Sequence, residues 1–185
     1  MSKNKVFKIF NDKQKILHEV CDSVEEPISD DIKNTLLEMI TYLKNSQDEE
    51  YAKKNHIRSG VGLAAPQIGI KKRFYAIYYI NENDEVVQYG LVNPKIISSS
   101  IKKCALSGGE GCLSVDVDHS GYVFRYYKIT LKAYDVLQNK EIIINAKGYD
   151  AIVLQHELDH LNGIVYYDRI DKSNPHKQID NSVLI

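Results

Sequence analysis

The sequence has no tryptophan, and only four prolines and three cysteines in 185 residues. An odd, sparse set of thiols (Cys21, Cys104 and Cys112) argues against a disulfide framework and suits a reducing compartment. No apolar run approaches the ~20 residues of a membrane span. The first residues, Met1-Ser2-Lys3-Asn4-Lys5-Val6-Phe7, are basic. They lead into no apolar h-region and no small-residue cleavage site, which argues against secretion. Net charge is -1, so neither a nucleic-acid partner nor a membrane surface is indicated. What is left is a cytoplasmic globular chain. With 43% hydrophobic residues it can bury a core without staples, and one domain over residues 1–185 is expected.

Residues 1–28 carry short apolar pieces and read as an extended arm with a turn near Asn11-Asp12. Ser29 or Asp30 is placed to cap a helix in which Ile32, Leu36, Met39, Ile40 and Leu43 share one apolar face. The polar stretch 44–56 reads as more helix or a surface loop. Residues 74–80 predict a strand, 81–84 a turn, and 86–92 the returning strand, broken by Asn93-Pro94. Residues 95–107 read as strand and loop. Strands are expected over 122–133 and 141–146, and a short one over 164–170. Gly148 precedes a helix that Asn162-Gly163 should stop. The tail after Asp171 shows little periodicity. The order is α+β: mostly antiparallel sheets around a buried C-terminal helix, with one N-terminal helix.

That buried helix carries Gln155-His156-Glu157-Leu158-Asp159-His160. Positions i and i+4 share a helix face, so both imidazoles can reach one metal ion. Glu157 projects beside the ion, where it can serve as base toward water. Apolar neighbours (Ala151-Ile152-Val153-Leu154) turn the histidine face inward, and two unpartnered buried histidines are costly. A third ligand must come from elsewhere. Residues 161–164 lead to no third histidine, and His176 lies far along a polar tail. Cys112, in Glu110-Gly111-Cys112-Leu113-Ser114, has space around its sulfur. Cys21 and Cys104 lack that setting and read as packing or surface residues. His18, His56, His119 and His176 read as surface, and the 13 tyrosines as core and sheet residues.

Three ordered motifs together resemble the peptide deformylase family: Gly60-Val61-Gly62-Leu63-Ala64-Ala65-Pro66-Gln67, Glu110-Gly111-Cys112-Leu113-Ser114, and the His156-Glu157 helix. The inserted stretch Asp116-Val117-Asp118-His119-Ser120-Gly121 is similar to the longer, Gram-positive-type subgroup. Two departures are the missing proline before Leu17 and Phe124 at a position where the family often has proline. The resemblance implies one divalent metal, Fe(II) natively and replaceable by Zn, Ni or Co, held by Cys112, His156 and His160. It implies hydrolysis of the formyl group from N-formylmethionyl nascent peptides, at or near the ribosome, by a monomer. Glu157 would act as general base and then acid, with Gln67 and Leu113 stabilising the oxyanion. Val61, Gly62, Gly111, Glu110, Tyr149, Ile152 and Val153 would bind substrate. Glu110 and Arg125 would form an ion pair propping the cysteine loop. An endopeptidase and a non-catalytic metal domain are the competing readings. The first needs a further ligand that is missing, and the second has no use for Glu157.

Overall fold

The computed structural model describes residues 5–185, so part of the basic start weighed as a leader, residues 1–4, lies outside the described residues. In chain order the elements are α1 (Asp30–Ser46), α2 (Glu49–Asn55), β1 (Gly62–Ala64), β2 (Phe74–Ile80), β3 (Val86–Ser99) and β4 (Lys103–Ala105). Then come β5 (Arg125–Tyr126), β6 (Lys128–Asp135), β7 (Lys140–Lys147), α3 (Tyr149–Leu161) and β8 (Ser182–Leu184). Five strands form an antiparallel sheet in the order β1-β2-β3-β6-β7, and three form a second sheet, β5-β4-β8. The α+β architecture is as expected from the sequence.

The unbroken apolar run Phe-Tyr-Ala-Ile-Tyr-Tyr of β2 has a simple cause, since a strand covered on both faces needs no polar alternation. Phe74, Ala76 and Tyr78 pack with Leu36, Met39 and Leu43 of α1. Tyr75, Ile77 and Tyr79 pack on the other side with Ala151, Val153 and Leu154 of α3. Each fully buried large side chain contributes roughly 1.5–3 kcal/mol. Leu36, Met39 and Leu43 are all fully enclosed.

α3 lies between the two sheets. Gln155 docks it on the smaller one, its side chain accepting the Tyr126 N–H (3.0 Å) and donating to the Tyr126 carbonyl (2.9 Å). Residues 151–155 are all buried, as in a helix enclosed on every side. Gly163, at φ 71°, ends the helix in the left-handed region.

Four expectations need correction. Asn93-Pro94 does not end its strand: β3 runs on to Ser99, and a register shift between Val92 and Lys95 absorbs the irregular pair as a bulge. The stretch 122–133 is split, with β5 and β6 in different sheets. Residues 164–170 contain a 3-10 turn, Tyr166–Arg169, rather than a strand, because Asp168 folds back to accept the Val165 N–H (2.9 Å). The tail ends in β8, which pairs parallel with β4.

Candidate active site and metal centre

Helical spacing brings the His156 and His160 rings to 5.1 Å between centroids, at 75°. The loop after β4 delivers Cys112 to the same point, with Sγ 3.3 Å from His160 Nε2. The three ligand atoms all lie within 4.8 Å of one another. An ion bound at ~2.3 Å to sulfur and ~2.1 Å to nitrogen in tetrahedral geometry separates the two by about 3.6 Å, so the donors fit a metal with little movement. One thiol and two imidazoles are also the ligand chemistry such an ion takes.

A partner behind His156 fixes its orientation, whereas His160 Nδ1 is buried and meets no acceptor or donor among the described residues. His156 Nδ1 donates to Glu110 Oε2 (2.8 Å), which leaves Nε2 for the metal side. The Glu110 carboxylate also takes two bonds from Arg125 (2.6 and 2.9 Å). Arg125 continues to Asp159 (2.8 Å), and Arg169 closes the chain with two bonds of 2.5 Å to Asp159. Glu110, Arg125 and Asp159 are all buried. Burial alone would raise the Glu110 carboxyl, but the bonds from His156 and Arg125 overcome it and hold the group down at about 2. The same contest runs the other way at His156: burial pulls it down, and Cys112 and Glu110 lift it well above an ordinary histidine. His160 is held well below the ordinary value by burial and by the charge of His156.

Glu157 lies on the same helix with Oε2 buried and unpartnered. Burial raises its carboxyl from 4.5 to about 7. A Cβ on Gly62 would lie 2.2 Å from Glu157 Oε1, so only glycine lets β1 pass this close. Gln67, in a 3-10 turn after β1, accepts the Ala64 N–H (2.8 Å) and donates to Ser114 Oγ (3.1 Å) and, at 3.6 Å, to Cys112 Sγ.

A groove of about 340 Å³ runs over this centre. One bank is Gly60, Val61, Gly62 and Gln67, and the other is Glu110, Gly111, Cys112 and Leu113. Tyr149, Ile152, Val153, His156 and Glu157 of α3 form the remaining wall. The end of α1 steadies the first bank: Ser46 Oγ accepts the Gly60 N–H (3.1 Å), and Gln47 Nε2 donates to the Gly60 carbonyl (2.9 Å). All thirteen site residues picked from the sequence meet here, with His160 buried beside Cys112. Glu110 lines the groove, but its carboxylate is engaged by Arg125 and His156.

The model of the polypeptide deformylase family matches residues 6–176. The chain belongs to that family. Membership makes this deformylase a metal-dependent hydrolase that removes N-formyl groups from nascent peptides. It is 48% identical over 177 residues to peptide deformylase 2 of Bacillus subtilis, covering 96% of each chain. It is 51% identical over 159 residues to a peptide deformylase of Listeria monocytogenes, covering 86% of each. These relatives agree with the Gram-positive resemblance. The crystal structure of the peptide deformylase from Thermotoga maritima superposes with a TM-score of 0.73 at 27% identity, covering 90% of this chain and 99% of that one.

Sequence reading did not single out Asp159, Tyr166, Arg169 or Arg58. Asp159 was detectable as an acid on the inward side of the motif helix. Tyr166, whose ring stacks on His156 at 6.2 Å and 21°, carried no pattern signal. Nor did Arg58, whose partners are backbone carbonyls 54 to 57 residues away.

Proposed function

We propose that this deformylase uses Cys112, His156 and His160 to hold its metal, and Glu157 to move the proton. The observation that carries this reading is the convergence of the three ligand atoms beside the buried Glu157 carboxylate, at the floor of a peptide-sized groove. When bound, the ion supplies Lewis acidity, acidifying water and drawing charge from a carbonyl oxygen. Glu157 takes a proton from water as its oxygen adds to the formyl carbon. A carboxyl tuned to about 7 is suited both to accept that proton and to return it. The C–N bond then breaks, Glu157 protonates the leaving amine, and formate departs. The oxyanion formed on the way is met by Gln67 Nε2 and the Leu113 N–H. The long Gln67 bond to sulfur (3.6 Å) is one an oxyanion outcompetes.

The substrate backbone lies between the banks as an added strand does. The Val61 carbonyl accepts the Tyr78 N–H (2.9 Å), and no acceptor among the described residues takes the Val61 N–H, which is left to offer. Gly111 offers its backbone from the opposite bank. Tyr149, Ile152, Val153 and the His156 ring form the wall against which the methionine side chain packs.

The native ion in this reading is Fe(II), with Zn, Ni or Co able to substitute. The ferrous site is sensitive to oxygen, because both iron and the Cys112 thiolate oxidise. The chain works as a single-domain monomer in the cytoplasm, on nascent chains at or near the ribosome. No helix among the described residues is long and apolar enough to cross a membrane.

The test is formate release from an N-formyl-Met peptide by anaerobically purified protein, with metal content measured on the same sample. Glu157→Ala keeps the metal and loses at least a hundredfold in rate. Full activity in that variant, or internal peptide cleavage without formate, refutes the assignment.

A further inference from the structure

We propose that Arg58 is a positioning residue that aims the Leu113 N–H into the groove. The inference rests on the reading of that N–H as an oxyanion donor. Arg58 stands on the loop before β1, and its guanidinium reaches across to the cysteine loop. There it donates to three carbonyls: Val115 through Nη1 (2.9 Å), and Cys112 (3.1 Å) and Leu113 through Nη2. The Val115 N–H adds a second bond to the Cys112 carbonyl (3.2 Å).

The Cys112 carbonyl and the Leu113 N–H belong to one peptide unit. In a planar trans peptide they point in opposite directions. Turning the carbonyl toward Arg58 therefore turns the Leu113 N–H away from it. No acceptor among the described residues meets that N–H, although Leu113 lines the groove. The segment from Gly111 to Val115 lies in no helix or strand, so no ladder fixes this peptide plane. Arg58, with the Val115 N–H, supplies what a ladder would. A planar fork with several donors can hold three carbonyls at once, which a lysine ammonium on a flexible stem does not reproduce.

Arg58 is exposed, and its loss leaves both apolar cores intact. Arg58→Ala and Arg58→Lys are compared with wild type in metal content, thermal midpoint, kcat and KM. Both variants are expected to keep the metal and to change KM less than threefold, while kcat falls roughly 10- to 100-fold, part of the loss seen when an oxyanion donor is removed outright. Millimolar guanidinium should restore part of the kcat of Arg58→Ala, and methylammonium should not. A readout independent of turnover is the backbone ¹⁵N relaxation of the metal-free protein. The Leu113 amide should become mobile in Arg58→Ala while the Ala64 amide does not. Unchanged kcat, a loss confined to KM or to metal content, or an equally rigid Leu113 amide overturns the inference. Absence of formate release by the wild type is a different failure, since it refutes the deformylase site itself.

Discussion

Single residues here are held to tight tolerances by their neighbours. Gly62 passes so near Glu157 that a methyl group must displace the carboxylate. Gly62→Ala is expected to keep its metal and its fold but lose at least tenfold in kcat/KM, measured by formate release. Glu157 also sets a pH dependence in the metal-free protein. Its folded value, about 7, exceeds its unfolded value of 4.5, so the folded state binds more protons between the two. That contribution is complete below 4.5 and is lost as pH rises through 7. Metal-free wild type should therefore lose on the order of 2–3 kcal/mol relative to Glu157→Gln between pH 4.5 and 8, checked by denaturant titration. Glu110 has the opposite sign, its support complete above 4.5 and lost as pH falls toward 2. His156, Glu157 and His160 were legible from helical spacing, Cys112 from its small-residue setting, and Gln67 and Leu113 only through the resemblance to the family's motifs. Arg58 was not, because backbone carbonyls as partners leave no mark in residue type.

Among the elements, α1 and α3 were legible from their caps and breakers. Ser29 accepts from the Ile32 N–H, and Gly163 stops α3. β3 was misread because Asn93-Pro94 is ordinarily a strand breaker. The structure uses Asn93 differently. At φ 51°, its side chain accepts the Val24 N–H and donates to the Val24 carbonyl, both at 2.9 Å. The bulge thus clamps the N-terminal arm to the central sheet. Asn93→Ala removes both bonds and leaves a Cβ in the left-handed region. A loss of about 2–3 kcal/mol is expected in denaturant titration, and Asn93→Gly should cost less because the strain is gone. β8 was invisible for another reason: three residues pairing at long range with β4 carry no period of their own.

At the scale of the molecule, two apolar cores pack on the two faces of one sheet. Removing the ion with a chelator should abolish formate release and lower the thermal midpoint by several degrees, while far-UV circular dichroism stays near native. Activity should return with Fe(II), and also with Zn, Ni or Co. Loss of all secondary structure on chelation would show that the cores are insufficient.

The spacing of Cys112 and His160 has a topological consequence. They stand 48 residues apart, and the span between them contains β5, β6, β7 and most of α3. An ion held by both ends in the proposed site would close that span into a ring. Unlike a covalent bridge, such a link is lost when the chain unfolds, so it stabilises by binding the folded state rather than by narrowing the unfolded ensemble. With the proposed ligands, a bound ion would thus be a reversible tether as well as a reagent, and oxidation of Cys112 would open the ring in the same event that stops turnover.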